Sequence, residues 1–118
     1  MAKKPETKFK ERVQKDIKEL VKQGARIWNV KVQMVALRGI PDLLLCVNGE
    51  FWAMELKKDL KEQPTPLQAH TLQLIQDAGG RVSAESPETW PSTLVLLARA
   101  AFGQNKPKRI LRKVAEVS

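Results

Sequence analysis

The feature of this sequence that most restricts its fold is the dipeptide Asn48-Gly49, which lies between two apolar segments. Asn-Gly favours a two-residue turn with both residues at positive φ, so it predicts a β-hairpin. The register that follows from this turn places Asp42 directly opposite Glu55. Like charges on opposed strand residues are destabilising. We therefore expect a group beside these two carboxylates that offsets their repulsion.

The periodicity of the other segments predicts the element order α-β-β-β-α-β-α. This order is typical of an α/β domain in which a small mixed sheet is flanked by helices. The amphipathic first helix ends at Gly24, and the second helix begins at Thr65-Pro66, a cap followed by proline. The predicted elements are a helix over 6–23, a strand within 26–37, a hairpin within 39–57, a helix over 66–78, a strand over 81–84 and a helical region over 86–102.

Patterning within these elements predicts which side chains are buried. The strand before the turn is almost wholly apolar, so we expect it to be central and covered on both faces. Pro91 is expected to divide or kink the last helix. Helical spacing predicts an inner face on the second helix made of Leu67, Thr71, Leu74, Ile75 and Ala78. Alternation in the first strand predicts a buried side made of Trp28, Val30, Val32 and Met34.

Length and composition indicate one globular domain. The chain has 118 residues, of which 42% are hydrophobic and 29% charged. Its start is polar and charged and no apolar run reaches the length of a membrane span, so we expect neither a signal peptide nor a membrane anchor. The single cysteine, Cys46, excludes an internal disulfide and favours a reducing, cytoplasmic location. Metal-binding spacings of cysteine and histidine are missing, which argues against a structural zinc site.

The net charge of +8 lies entirely at the two ends of the chain. Residues 1–24 and 105–118 carry 13 Lys/Arg and 5 Asp/Glu, whereas 25–104 carry 8 of each. This distribution favours a polyanionic partner such as nucleic acid, although a solvated charged periphery is the alternative. We divide the chain into a domain over 1–104 and a basic tail over 105–118. The tail has the pattern of an amphipathic helix, with Ile110, Leu111, Val114 and Val117 on one side.

The hairpin suggests a site for a divalent cation. Strand alternation places Glu55 and Lys57 on one face, and Asp42 joins them across the hairpin. Two carboxylates suit a hard cation such as Mg²⁺, which would offset their repulsion. Lys57 would then orient a water molecule or stabilise charge on a phosphate. The alternative is a solvated fringe of salt bridges at the strand ends.

Three short motifs around this hairpin resemble a nuclease family. Asp42 followed by Glu55-Leu56-Lys57 resembles the PD-(D/E)XK motif, with "GIPD" and "MELK" as its halves. More narrowly, "RGIPDLLL", "FWAMELK" and "TPLQ" are similar to the VRR-NUC (virus-type replication-repair nuclease) family. The resemblance extends over roughly residues 6–103. It implies a restriction-endonuclease-like core, Mg²⁺ or Mn²⁺ as cofactor, and hydrolysis of DNA.

The resemblance also implies roles for individual residues. Gln68 matches a glutamine that orients the catalytic lysine or a water, although a capping box with Thr65 is an alternative role. Glu11 matches an acid of the first helix that contacts the metal directly or through water. An ordinary surface glutamate is the alternative, with Asp16 or Glu19 as substitutes. The implied set is Asp42, Glu55 and the main-chain carbonyl of Leu56 as metal ligands, with Lys57 as the catalytic lysine.

Several further residues are candidates for contact with DNA. Arg38 could hold a phosphate and Gly39 could allow close approach of DNA, or both could merely form a turn before Pro41. His70 is interpreted as an ordinary exposed histidine. Trp28, Trp52 and Trp90 are interpreted as core or interface residues. The predicted DNA-contacting set is Lys8, Arg12, Arg38, Gly39 and Lys58.

The sequence therefore predicts a metal-dependent DNA endonuclease. Small members of the resembled family are associated with phages and mobile elements and with cleavage of branched DNA, including four-way (Holliday) junctions. Cutting two strands of a symmetric junction calls for two active sites, so we expect a homodimer. The apolar segment "STLVLLARAAF" and the tail are candidate interface elements. The alternatives are a nuclease without junction preference, a catalytically idle DNA-binding module, and a basic interaction protein.

Overall fold

The predicted element order is confirmed. The structure is a computed structural model in which residues 2–33 and 38–103 are described. Met34, the predicted boundary between residues 104 and 105, and the predicted tail helix all lie outside these residues. The elements are α1 (Pro5–Lys22), β1 (Ile27–Lys31), β2 (Leu43–Val47), β3 (Glu50–Leu56), α2 (Pro66–Asp77), β4 (Arg81–Glu85) and α3 (Trp90–Ala101).

The strands form one four-stranded mixed sheet in the order β1-β2-β3-β4. β1, β2 and β3 pair antiparallel, and β4 pairs parallel to β3. The turn has the predicted conformation, with φ of 50° at Asn48 and 87° at Gly49. Val47 lies opposite Glu50 in the β2–β3 ladder, as this turn requires. The register that brings Asp42 towards Glu55 is therefore confirmed.

One face of the sheet carries the hydrophobic core, which α1 and α3 cover. The α1 stripe contributes its apolar side chains at helical spacing, and α3 contributes Trp90 and Leu97, both completely buried. The sequence pattern of α1 predicts a buried stripe made of Phe9, Val13, Ile17, Leu20 and Val21. Val21 is instead 42% exposed. The core cluster is Phe9, Val13, Ile17, Ala25, Leu43, Leu45, Val47, Trp52, Met54, Leu56, Trp90, Leu97 and Ala101.

Helix α2 packs on the opposite face, mainly against β4 and β3. Its predicted inner face is wrong in part, because Leu67 is 47% and Leu74 is 55% exposed, whereas Leu72 is buried. The helix is rotated so that Gln68 and Ile75 also face inwards. The sequence pattern was misleading because α2 has apolar residues on two sides, and because the polar residue Gln68 faces the sheet.

The prediction that β2 is covered on both faces is wrong, and so is the predicted burial of the β1 side chains. Trp28 is 67% and Val30 is 39% exposed, while Ile27 lies on the core side. Alternation shows which side chains share a face, but not which face a helix covers. The residues on the uncovered side of β1–β3 are hereafter called the open face: Trp28, Val30, Leu44, Cys46 and Phe51.

Pro91 neither divides nor kinks α3. The helix begins at Trp90, so the proline occupies its first turn, where a missing N–H is tolerated. The segment from Ser86 forms a turn instead of helix, and the Thr89 hydroxyl donates to Glu85 Oε1 at 2.7 Å. A membrane-spanning helix is absent from the described part of the chain.

The turn geometry predicts an unequal response to two Gly→Ala changes. Gly49→Ala forces a Cβ into the left-handed region and is expected to lower the unfolding free energy by about 1–2 kcal/mol. Gly103→Ala is the matched control, because Gly103 lies outside that region and has room for a methyl group. Its change should stay within about 0.5 kcal/mol in urea denaturation. Equal losses in the two variants would contradict the role assigned to the turn.

Candidate active site

Asp42 is fixed at the point where β2 begins. Its Oδ2 atom accepts a hydrogen bond from the Leu56 backbone N–H at 2.7 Å, and its own carbonyl accepts from Val32 N–H at 2.9 Å. The side chain thus continues the β2–β3 pairing beyond the strand. The carboxylate is thereby held against the end of β3, beside Glu55.

Glu55 is an acid in the interior of the fold. The residue is completely buried, and in the part of the chain that the structure describes neither Oε atom has a hydrogen-bond partner. Burial raises the pKa of Glu55 to about 8, the neighbouring Asp42 carboxyl group adds to this rise, and the Lys57 ammonium opposes it. The Glu55 carboxyl group therefore retains its proton at neutral pH when no cation is bound.

Lys57 is held by α2. The side chain is nearly buried, and its Nζ donates to Gln68 Oε1 at 3.0 Å. The same oxygen accepts from Thr65 N–H at 2.9 Å, while Thr65 Oγ1 accepts from Gln68 N–H at 3.2 Å. Gln68 therefore forms the capping box and also accepts a hydrogen bond from Lys57, while its role in catalysis stays a prediction. One carboxamide oxygen caps α2 and positions the ammonium group of Lys57.

A cavity of about 210 Å³ lies beside Asp42, and α1 forms one of its walls. Lys10 Nζ lies 3.5 Å from Asp42 Oδ1, and Gln14 Nε2 is buried without a hydrogen-bond partner among the described residues. Sequence reasoning missed Lys10, Gln14 and Lys31. The available signal was a polar stripe at helical spacing on α1, next to its apolar stripe. The lining residues are Thr7, Lys10, Glu11, Gln14, Lys31, Val32, Gln33, Asp42, Leu43 and Leu56.

The predicted ligand Glu11 lines the cavity, but its carboxylate forms an ion pair with Lys3 at 2.8 Å. Within residues 2–33 and 38–103, no three acidic, histidine or cysteine side chains are grouped to hold a metal ion. Of the two substitutes, Asp16 accepts from Trp90 Nε1 at 2.8 Å, and Glu19 accepts from Gln23 at 3.3 Å. Glu11 remains the α1 acid that faces the cavity, and its role as a ligand stays a prediction.

The four basic residues predicted to contact DNA are exposed, whereas Gly39 is partly buried and the structure gives it a packing role. Gly39 has a φ of 80°, and a Cβ there would lie 2.6 Å from Leu67 Cγ. The glycine is thus needed for the turn to pack against α2. The interpretation of His70 as an exposed histidine agrees with the structure. The exposed basic side chains of the predicted set are Lys8, Arg12, Arg38 and Lys58.

Comparison with known proteins identifies the fold. A solved structure titled "VRR_NUC domain" superposes with a TM-score of 0.60 at 26% sequence identity, covering 80% of this chain and 97% of that one. The chain has a VRR-NUC fold. The resemblance to the VRR-NUC family that the sequence motifs predict is therefore confirmed. No family model matches the sequence, and no curated protein matches it.

The raised pKa of Glu55 predicts how the stability of the metal-free protein depends on pH. The folded state holds a proton that the unfolded state releases near its ordinary value of 4.5. The stabilising contribution is complete below that value and is lost as the pH rises through about 8. In EDTA, the unfolding free energy should fall by about 1.4 kcal/mol per pH unit between these limits.

The Glu55→Gln variant should abolish this slope, because an amide does not titrate, whereas Glu88→Gln should retain it. Glu88 is an exposed acid and serves as the matched control. Urea denaturation at several pH values measures the slope. Identical pH dependence in wild type and Glu55→Gln would show that the Glu55 carboxyl group is ionised in the folded protein.

Proposed function

We propose that this VRR-NUC-like domain is a Mg²⁺- or Mn²⁺-dependent endodeoxyribonuclease that acts on branched DNA such as four-way junctions. The observation that carries the proposal is the fully buried Glu55 carboxyl group, which lies beside Asp42 and whose oxygens have no hydrogen-bond partner among residues 2–33 and 38–103. A buried acid without compensation is costly for a fold that gains nothing from it. Such an acid is expected where a ligand completes the site.

The donor atoms fit a hard divalent cation. Asp42, Glu55 and the Leu56 carbonyl would supply oxygen ligands, which Mg²⁺ and Mn²⁺ prefer. Glu11 would bind directly or through water after leaving Lys3. The bound cation would supply the Lewis acidity that activates water and offsets charge on the scissile phosphate.

The chain's own groups would orient the reaction. Lys57 is held by Gln68 at the site, where its ammonium would position water or stabilise negative charge on the phosphate oxygens. Lys10 neighbours Asp42 and would contact the phosphate backbone. The basic ends of the chain would add sequence-independent affinity that falls steeply with salt concentration.

A homodimer would supply the two active sites that paired cleavage of a junction requires. The outer side of α3 supports this part of the proposal, because it carries exposed apolar side chains. Val95 is 51%, Leu96 is 53% and Phe102 is 49% exposed. We propose that the dimer contact lies on this side of α3. We further propose that the protein is cytoplasmic and is encoded by a phage or mobile element.

Cleavage assays test the proposal. A labelled four-way junction, a linear duplex and a single strand are incubated with Mg²⁺, Mn²⁺ or EDTA. Wild type should cut the junction in either metal and not in EDTA. Lys57→Ala should lower the rate at least about a hundredfold, whereas the exposed Lys61→Ala control should leave it unchanged.

Three other outcomes would change the proposal. Equal cutting of all three substrates would keep the nuclease and exclude the junction preference. Tight binding without cutting in either metal would favour the idle DNA-binding module. If metal does not bind and Asp42→Asn leaves function unchanged, the hairpin acids have no role in chemistry. That outcome would favour the basic interaction protein.

The shared oxygen of Gln68 predicts a separation of stability from activity. Gln68→Ala and Thr65→Ala each remove part of the α2 cap, so each should lower the unfolding free energy by about 1 kcal/mol. Only Gln68→Ala releases Lys57, and it should lower the cleavage rate by about tenfold or more. Equal activity of the two variants would contradict a positioning role for Gln68.

A further inference from the structure

A second cavity lies at the edge of the sheet, between β1 and the second half of α1. Its volume is about 530 Å³, which is within the range of pockets that bind small molecules and cofactors. β1 is an edge strand, so the cavity opens sideways from the sheet towards solvent. The lining residues are Gln14, Lys15, Lys18, Val21, Ile27, Trp28 and Asn29.

This cavity adjoins the cavity beside Asp42, because Gln14 lines both of them. The two cavities follow the same seam between α1 and β1, and we call the whole seam the α1–β1 groove. Its α1 wall extends from Thr7 to Val21, which corresponds to about 20 Å of helix. A strand bound at Asp42 can therefore continue along the groove to Trp28.

The charges of the α1–β1 groove favour an anionic ligand. Lys15 and Lys18 are exposed and line the second cavity, whose described lining contains no acidic side chain. Lys10 and Lys31 line the cavity beside Asp42. Cationic side chains that follow a groove in this way are typical contacts of a nucleic-acid backbone. An acidic polypeptide would also satisfy these lysines, so charge alone does not separate the two ligands.

Trp28 supplies an aromatic side chain beside these lysines. It is 67% exposed, whereas Trp52 and Trp90 are 5% and 0% exposed. Because β1 is an edge strand, Trp28 belongs to the open face and also lines the groove. An exposed aromatic ring beside a basic groove is a stacking platform for unpaired bases, which favours a nucleic acid over an acidic polypeptide. Lys15 and Lys18 come to Trp28 from α1, so this combination is not visible along the sequence.

We propose that the α1–β1 groove binds an unpaired DNA strand, with a base stacked on Trp28 and phosphates on Lys15 and Lys18. A base within a duplex is already stacked on its neighbours, so the site favours single-stranded over double-stranded DNA. The inference rests on the proposed function in taking this strand to be part of the substrate. The groove then recognises unpaired nucleotides next to a branch point, while the cleaved bond lies at Asp42 and Glu55.

Binding measured in EDTA tests the site without cleavage. The full-length protein is titrated with an oligothymidylate of about ten nucleotides, and anisotropy of a labelled strand gives the Kd. Quenching of tryptophan emission by the unlabelled strand reports stacking, because Trp28 is exposed and the other two tryptophans are buried. Trp28→Ala should abolish the quenching and weaken binding about tenfold. The matched control Val30→Ala should stay within about twofold of wild type, since Val30 is exposed on the same strand but outside the groove.

The salt dependence of the Kd tests the two lysines. Each phosphate contact on a single strand contributes about 0.7 to the slope of log Kd against log salt concentration. Lys15→Ala/Lys18→Ala should therefore lower the slope by about 1.4. The matched control Lys61→Ala/Arg99→Ala removes two exposed charges that do not line the groove, and it should leave the slope unchanged.

Four outcomes would overturn the inference. These are wild-type binding without quenching, equal losses of affinity in Trp28→Ala and Val30→Ala, equal quenching by a duplex of the same sequence, and equal affinity for polyglutamate. Equal losses would assign the strand to the open face, and equal affinity for polyglutamate would assign the groove to an acidic protein. Cleavage in Mg²⁺ is measured separately. Cutting without quenching contradicts only this inference, whereas binding with quenching but no cutting contradicts only the proposed function.

Discussion

The β2–β3 register is the constraint on which the rest of the structure depends. Because side chains alternate along a strand, a slip of one residue would move Glu55 from one face of the sheet to the other and exchange it with core residues. The Asn48-Gly49 turn, with both φ angles positive, prevents that slip. The same turn brings Asp42 to Glu55 and anchors the end of α3 through the Asn48 side chain. Fold and site thus share one determinant.

The site contains one side chain whose burial is unfavourable, Glu55, and one whose hydrogen bonding is satisfied, Lys57. Glu55 is buried with no hydrogen-bond partner in the described part of the chain, and burial raises its pKa to about 8, so the metal-free fold is expected to lose stability as the pH rises. Lys57 is in contrast held by Gln68, whose oxygen also completes the cap of α2. The start of α2 is therefore linked directly to the Lys57 ammonium group. The fold thus loses stability at Glu55, whereas the hydrogen bonds of Gln68 hold Lys57 in a fixed orientation.

Local rules made much of this predictable from sequence. The turn, the opposition of Asp42 and Glu55 and the capping box follow from short-range geometry, and the structure has all three. The burial of Trp28 and the inner face of α2 were predicted wrongly, because they depend on where helices lie on the sheet. The cavity wall formed by Lys10 was missed for a related reason. Which polar residues of a helix line a site can be told only when the position of the helix against the strands is known.

The groups that hold the site together are also close neighbours along the chain. The Leu56–Asp42 bond closes a separation of 14 residues, and the Lys57–Gln68 bond one of 11. Such short loops lose little entropy on closure, and contacts of low sequence separation favour fast folding. Insertions after α2 or beyond α3 leave both closures untouched. Residues 42–68 can therefore keep their mutual geometry when the lengths of other segments change around them.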